Sequence, residues 1–185
     1  MQVTLASKSP RRRELIKRIP FLDVNIVVSD EEEISRYNDP EHLTMDLAEQ
    51  KARAVKKRVG GVVICSDTVV AVDGIILGKP KSEEEAKAFF RMLCGRAHEV
   101  FTGIAVIDDT NEVITAVKTE VEFNDYDPRV IDEYVKSGAP FDKAGGYGIQ
   151  DEMLSPIIKE VRGDLDNVIG LPVATLRTIL EEKFR

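Results

Sequence analysis

Residues 62–72, Val-Val-Ile-Cys-Ser-Asp-Thr-Val-Val-Ala-Val, constrain this chain more than any other segment. A run so apolar and β-branched predicts a strand whose side chains are buried. It is interrupted at Ser66-Asp67-Thr68 and followed by Asp73-Gly74, a two-residue hairpin signal, with the return strand at Ile75–Leu77. Asp67 is therefore out of place. An unpaired carboxylate is costly to bury, so it requires a cation, a metal or the hydrogen bonds of a strand bend. A metal ligand and a general base both suit the position, and so does a plain aspartate at a tight bend.

Strand and helix signals are mixed along the rest of the chain. Val3–Ala6 and Val24–Val28 read as strands. Ser9-Pro10 and Asp39-Pro40 each set an N-cap residue before proline, opening one helix at Pro10 and a longer one reaching about Val59. Ser82 with Glu85 forms a capping box for a helix that stops at Gly95. His98–Ile107 and Val113–Phe123 read as strands joined by a polar turn. Pro128–Ser137 reads as a helix, Pro156–Val161 as a late strand, and Leu171–Phe184 as the closing helix. Hairpins amid this order predict a mixed α/β (α+β) fold with flanking helices around a mixed sheet. The 185 residues fit one domain over 1–185, or one core with two lobes.

The net charge is −7. That opposes a sequence-independent nucleic-acid binder, which needs net positive charge to neutralise phosphates. A small polyanion needs only a local basic cluster, so positions of Lys and Arg matter more than their total. No apolar run is long enough to span a membrane. The N-terminus carries no signal peptide and Cys65 and Cys94 form no C-x-x-C pair, so a cytoplasmic protein with reduced thiols is expected.

Further residues conflict with their local setting. Arg11-Arg12-Arg13 falls in the first turn of a helix, where the backbone favours acids. A bound anion relieves that conflict, with Ser7 and Ser9 as added donors; a solvated basic turn is the plainer alternative. Lys51 shares a helix face with Leu43, Leu47 and Val55, so it either snorkels to water or points into a cleft. Lys79 lies in Gly78-Lys79-Pro80, which is not a Walker loop and also suits an ordinary turn. In the glycine-rich segment Asp142–Gln150, Lys143 offers charge, Tyr147 a stacking face and Gln150 an amide. Glu31, Glu32 and Glu33 read as a solvated loop in which one could hold a divalent cation. His42 and His98 lack ligand spacing and read as structural.

Together these blocks resemble the Maf family of nucleoside triphosphate pyrophosphatases. The matching stretches are Leu5-Ala6-Ser7-x-Ser9-Pro10-Arg11-Arg12, Gln50-Lys51-Ala52, Ser66-Asp67-Thr68-Val69-Val70 and Leu77-Gly78-Lys79-Pro80. Leu93-x-Gly95-x-x-His98-x-Val100-x-Thr102-Gly103, Asp142-Lys143-Ala144-Gly145-x-Tyr147-Gly148-Ile149-Gln150 and Asn167-Val168-Ile169-Gly170-Leu171-Pro172 continue the series. The resemblance implies a fold similar to inosine triphosphate pyrophosphatases, with two lobes around a cleft, and frequently a homodimer. It implies hydrolysis of a nucleoside triphosphate to monophosphate and pyrophosphate, dependent on Mg²⁺ or Mn²⁺, in house-cleaning of nucleotide pools. Asp67 matches the family's proton acceptor. Ser7, Arg11, Arg12, Lys51 and Lys79 match its triphosphate-binding positions, and Glu33 or a neighbour matches a metal-linked acid beside Asp67. The Lys143–Gln150 stretch looks like the branch acting on dTTP and UTP, with Arg12, Thr68 and Gln150 at its specificity positions. A nucleotide-binding regulator of cell division is the alternative.

Overall fold

The computed structural model describes every residue, Met1–Arg185. Seven strands form one mixed sheet in the order β2-β1-β3-β5-β6-β7, with β4 paired to β3. They are β1 (Gln2–Leu5), β2 (Asp23–Ile26), β3 (Val62–Val72), β4 (Ile75–Leu77), β5 (Ala97–Ile107), β6 (Glu112–Phe123) and β7 (Ile158–Arg162). Strand β1 runs parallel to both β2 and β3, while β3–β4 and β6–β7 are antiparallel. Six helices accompany them: α1 (Pro10–Ile16), α2 (Pro40–Lys56), α3 (Glu83–Leu93), α4 (Pro128–Lys136), α5 (Leu165–Ile169) and α6 (Val173–Lys183). The expected α/β class and mixed sheet are therefore observed.

The chain divides into two compact units. One comprises Met1–Thr68, Thr102–Val117 and Gly170–Arg185; the other comprises Val69–Phe101 and Lys118–Ile169. Three of the four boundaries fall inside β3, β5 and β6 and the fourth directly follows α5, so no linker composition marks them.

In the first unit, Ala48, Ala52 and Val55 of α2 bury against Ala6, Val63, Cys65 and Ala105. Small residues on α2 allow a close approach, and Gly103 takes it furthest. A Cβ built on Gly103 would lie 2.2 Å from the Thr44 carbonyl oxygen, so only glycine lets the helix seat here. Lys51 lies two turns beyond Thr44 on that helix. Asp39 caps α2 by accepting from the His42 N–H at 2.9 Å, and the His42 ring bonds the same carboxylate.

The second unit is built on Phe90, Leu93, Val121, Phe123, Ile131, Tyr134 and Tyr147. Tyr147 is only 5% exposed, and its ring meets those of His98 and Phe123 edge to face. It is core packing, and the stacking face expected for it is already covered. His98 Nε2 lies 2.6 Å from the Tyr147 hydroxyl, while its buried Nδ1 has no partner. Burial, with Arg96 adding, pushes the His98 pKa down to about 4. An unfolded histidine titrates near ~6.5, so the unfolded chain takes up a proton that the folded chain refuses. Stability is thus fully present above that pH and falls as pH drops toward 4, by about 3 kcal/mol in total. Denaturant melts from pH 7 to pH 4.5 should show this slope in the parent and not in His98→Gln. Equal slopes in the two proteins would remove His98 from the account.

Several element boundaries differ from the sequence reading. Helix α2 stops at Lys56 rather than near Val59, and α6 begins at Val173, after Pro172. Helix α5 was not anticipated. It is only five residues long, and Asp164 starts it by accepting from the Asp166 and Asn167 amides. At α3, Ser82 caps as expected, accepting from the Glu85 N–H at 3.1 Å. The return bond of the box differs: Glu85 accepts from the Lys81 amide, one residue before the cap. Both cysteines are free, Cys65 buried and Cys94 half-buried.

Candidate functional site

Strand β3 delivers Ser66, Asp67 and Thr68 in sequence, and each has a different partner in the first unit. Asp67 Oδ1 accepts from the Lys51 ammonium at 2.6 Å, and Lys51 also meets Glu33 Oε2 at 3.0 Å. The Lys51 and Asp67 side chains are 20% and 14% exposed, so this ion pair is largely shielded from water. The three residues come from consecutive segments, the loop before α2, α2 itself and β3. The out-of-place aspartate has found a cation, and the stripe-adjacent lysine points inward rather than snorkelling. Burial alone would lower the Lys51 pKa; the facing Asp67, with Glu33, outweighs it and holds the ammonium above its ordinary value.

Glu33 is the member of the acidic trio that reaches Lys51. Gln50, beside Lys51 on α2, fixes the loop that carries it. Its amide donates to the Ile34 carbonyl at 2.7 Å and accepts from the Ile34 N–H at 3.3 Å. A cavity of about 250 Å³ opens here, lined by Glu31, Glu32, Glu33, Gln50, Lys51 and Arg53 among others. The sequence assigns Gln50 no role, because an amide two-point bond to loop backbone is invisible without the fold.

Arg12 is held from a different direction. Its Nε donates to the Gly170 carbonyl at 2.8 Å and its Nη2 to Thr68 Oγ1 at 3.0 Å. Ser66 Oγ donates to the same carbonyl at 2.9 Å, and the Thr68 and Thr102 hydroxyls lie 2.8 Å apart. Burial holds the guanidinium pKa below its ordinary value, and Asp67 only partly offsets that. Gly170 has φ +127°, a conformation that side chains rarely adopt, and a Cβ there would crowd Arg12 Nε at 3.3 Å. Ser66, Thr102 and Gly170 were not among the expected site residues. The Asn167–Pro172 block pointed to the neighbourhood, but a backbone carbonyl as the acceptor leaves no side-chain signature.

The N-terminal segment changes the basis of the anion argument. Helix α1 has only seven residues, too few for its dipole to carry a site. What remains is a cluster of side chains. Ser7 is buried, and its Oγ accepts from the Ser9 N–H at 3.1 Å, which leaves its own proton unused by that bond. Arg13 turns back to the Ser7 carbonyl and Arg11 is half-buried.

The second unit holds the other three candidates, on loops joined to each other. The Gly145 N–H donates to the Gly78 carbonyl at 3.0 Å, tying the Gly78-Lys79-Pro80 turn to the glycine-rich segment. Lys79 is exposed, and so is Gln150. Lys143 is half-buried and engaged: its ammonium donates to the Ala139 carbonyl at 2.6 Å and to Asp142 at 2.9 Å.

Two carboxylates facing one cation also bear on a metal. Glu33 and Asp67 are hard oxygen donors held on one ammonium, and no cluster of three or more His, Cys, Asp or Glu adds to them. That set fits Mg²⁺ or Mn²⁺, which bind through one or two carboxylates and complete their shell with phosphate oxygens and water. It does not fit a closed structural zinc site.

Three comparisons bear on kinship. The family model described as Maf-like protein matches residues 2–183. A relative from Thermococcus onnurineus, named dTTP/UTP pyrophosphatase, is 43% identical over 98% of both chains. A Bacillus cereus protein of the same name is 44% identical over 95% of this chain and 92% of its own. Among solved structures, the Ham1 protein of Staphylococcus aureus superposes with a TM-score of 0.58 at 16% identity, over 98% of each chain. A HAM1 protein from Coxiella burnetii gives 0.55 at 16% identity, over 98% of this chain and 99% of that one. Those two likenesses concern the fold alone. A match over nearly the full length, on a fold that brings Glu33, Lys51 and Asp67 together, leads to one conclusion: this chain belongs to the Maf family.

Proposed function

We propose that the chain hydrolyses nucleoside triphosphates to the monophosphate and pyrophosphate, with dTTP and UTP preferred, and that residues 1–185 act as one functional domain. The observation that carries this reading is the Glu33–Lys51–Asp67 cluster, a shielded ammonium between two carboxylates. The names of the relatives supply the substrate class.

In this reading Asp67 accepts the proton of the attacking water as it adds to the α-phosphorus, and pyrophosphate departs. Ser7, Arg11, Arg12, Lys51 and Lys79 neutralise the phosphate oxygens and stabilise charge that grows in the transition state. Arg12 is suited to this because Thr68 and Gly170 already hold its guanidinium, so little ordering is lost on binding. Glu33 and Asp67 would hold a Mg²⁺ or Mn²⁺ ion, which supplies further charge neutralisation at the triphosphate. Thr68, Lys143 and Gln150 address the base and sugar. An amide at Gln150 accepts from pyrimidine N3–H and donates to O4, the pattern shared by uracil and thymine. The reading also has the chain act on the cytoplasmic nucleotide pool as a homodimer.

The test is a panel of common and modified triphosphates with Mg²⁺, scored for pyrophosphate against orthophosphate. Pyrophosphate is expected in excess, fastest from dTTP and UTP. Binding without release of either product would replace the hydrolase with a nucleotide-binding regulator; orthophosphate as the first product would move the cleavage site.

A further inference from the structure

Gln150 sits on a turn that is fastened at both ends by one hydroxyl. The turn Gly148-Ile149-Gln150-Asp151 closes with the Asp151 N–H donating to the Gly148 carbonyl at 3.0 Å. Tyr134, on α4, places its hydroxyl at the mouth of this turn. That oxygen accepts from the Gly148 N–H at 3.0 Å and donates to Asp151 Oδ2 at 2.6 Å. Tyr134 is itself rigid: it is 1% exposed, and its ring meets Phe90 edge to face at 5.9 Å. The Lys143 ammonium stands 3.9 Å from the same Asp151 oxygen. One donor and one acceptor are thus matched on a single buried phenol, while Gln150, between the two anchored residues, stays exposed.

A buried tyrosine needs a partner for its hydroxyl, but one would satisfy it. Here the hydroxyl spans the turn from end to end, which removes the backbone freedom an isolated turn would have. An exposed glutamine on a mobile turn reads a base poorly, because each contact must first order the loop. On a fixed turn its amide meets the ligand with only its own torsions to settle.

We propose that Tyr134, acting with Asp151, is a positioning residue for base selectivity: it fixes the Gly148–Asp151 turn so that Gln150 presents its amide to the pyrimidine. This rests on the reading of Gln150 as the base-contacting side chain. Tyr134 touches no substrate, so its effect falls on recognition of the base and leaves the phosphate end alone.

The experiment compares kcat and KM for UTP, dTTP, CTP and GTP in the parent, Gln150→Ala, Tyr134→Phe, Asp151→Ala and Asp151→Asn. Phenylalanine keeps the ring packing of Tyr134, and thermal melts establish that each variant is folded at assay temperature. Tyr134→Phe and Asp151→Ala are expected to raise KM for UTP and dTTP about tenfold, the scale of one or two lost hydrogen bonds, with kcat within about twofold. CTP and GTP should change little, so the preference ratio falls toward that of Gln150→Ala. Asp151→Asn keeps an acceptor for the hydroxyl and should retain the parent's preference. Tyr134→Phe combined with Gln150→Ala should be no less selective than Gln150→Ala alone. If Gln150→Ala collapses the ratio while Tyr134→Phe preserves it, the positioning role is overturned and the base reading stands. If Gln150→Ala leaves the ratio unchanged, the base reading falls and the positioning role falls with it.

Discussion

An Asp67→Asn protein is expected to lose turnover by about 10²–10⁴-fold, the range for removing a positioned general base. KM should change far less. The asymmetry follows from what the substitution keeps. Asparagine has the same shape in β3, and its carbonyl oxygen can still accept from the Lys51 ammonium, which now has Asp67 at 2.6 Å and Glu33 at 3.0 Å. The Lys51 ammonium therefore stays in place. What is lost is a charge and the ability to take a proton, and both matter only as the reaction proceeds. Steady-state kinetics on dTTP and UTP, with nucleotide affinity measured separately by calorimetry, checks the split. Turnover within a few-fold of the parent would reject Asp67 as the proton acceptor. Equal losses in affinity and turnover would make it a structural partner of Lys51 instead.

The two halves of this site were unequally readable from sequence, and the reason is physical. Asp67 announced itself because a carboxylate inside a β-branched run violates the local burial rule and so demands a partner. Its identity as an anomaly was local information. Its partner was not: Lys51 lies on α2, and the packing of that helix against β3 brings the two together. The conflict of Arg11–Arg13 with a helix start is local too, but a seven-residue helix does not supply the dipole that would hold an anion there. Arg12 instead owes its placement to a backbone carbonyl at Gly170, far along the chain. Tyr147 shows the opposite error. A tyrosine in a glycine-rich loop suggests a face offered to a ligand, yet the loop folds that ring against His98 and Phe123 in the core. The strand and helix order was legible because period and caps are local; α5 escaped because its start is set by one aspartate cap and its length carries no periodicity.

Replacing Lys51 by methionine should produce two effects of opposite sign. Catalytic efficiency on UTP is expected to fall about 10–100-fold, the value of one charge-assisted contact to a phosphate oxygen. Affinity for Mn²⁺ in the absence of nucleotide is expected to rise. The second effect follows from the resting geometry. In the nucleotide-free chain the Lys51 ammonium is the counter-ion of both Glu33 and Asp67, and the same carboxylate oxygens are the ones a divalent cation would use. A metal entering this cluster must compete with a lysine whose protonated form the carboxylates already favour. Methionine fills similar volume on the α2 face without charge, leaving two acids close together and unneutralised. Removing one partner of a shielded pair also costs stability, on the order of 1–2 kcal/mol for a site that keeps some contact with water. Added Mn²⁺ should restore more melting temperature to Lys51→Met than to the parent, since the ion now supplies the missing positive charge. Mn²⁺ titrations followed by paramagnetic resonance, paired with melts at matched metal concentrations, read both quantities without any substrate. If the methionine variant binds Mn²⁺ no more tightly than the parent, Glu33 and Asp67 do not form the cation site. In that case Lys51 is their permanent structural counter-ion.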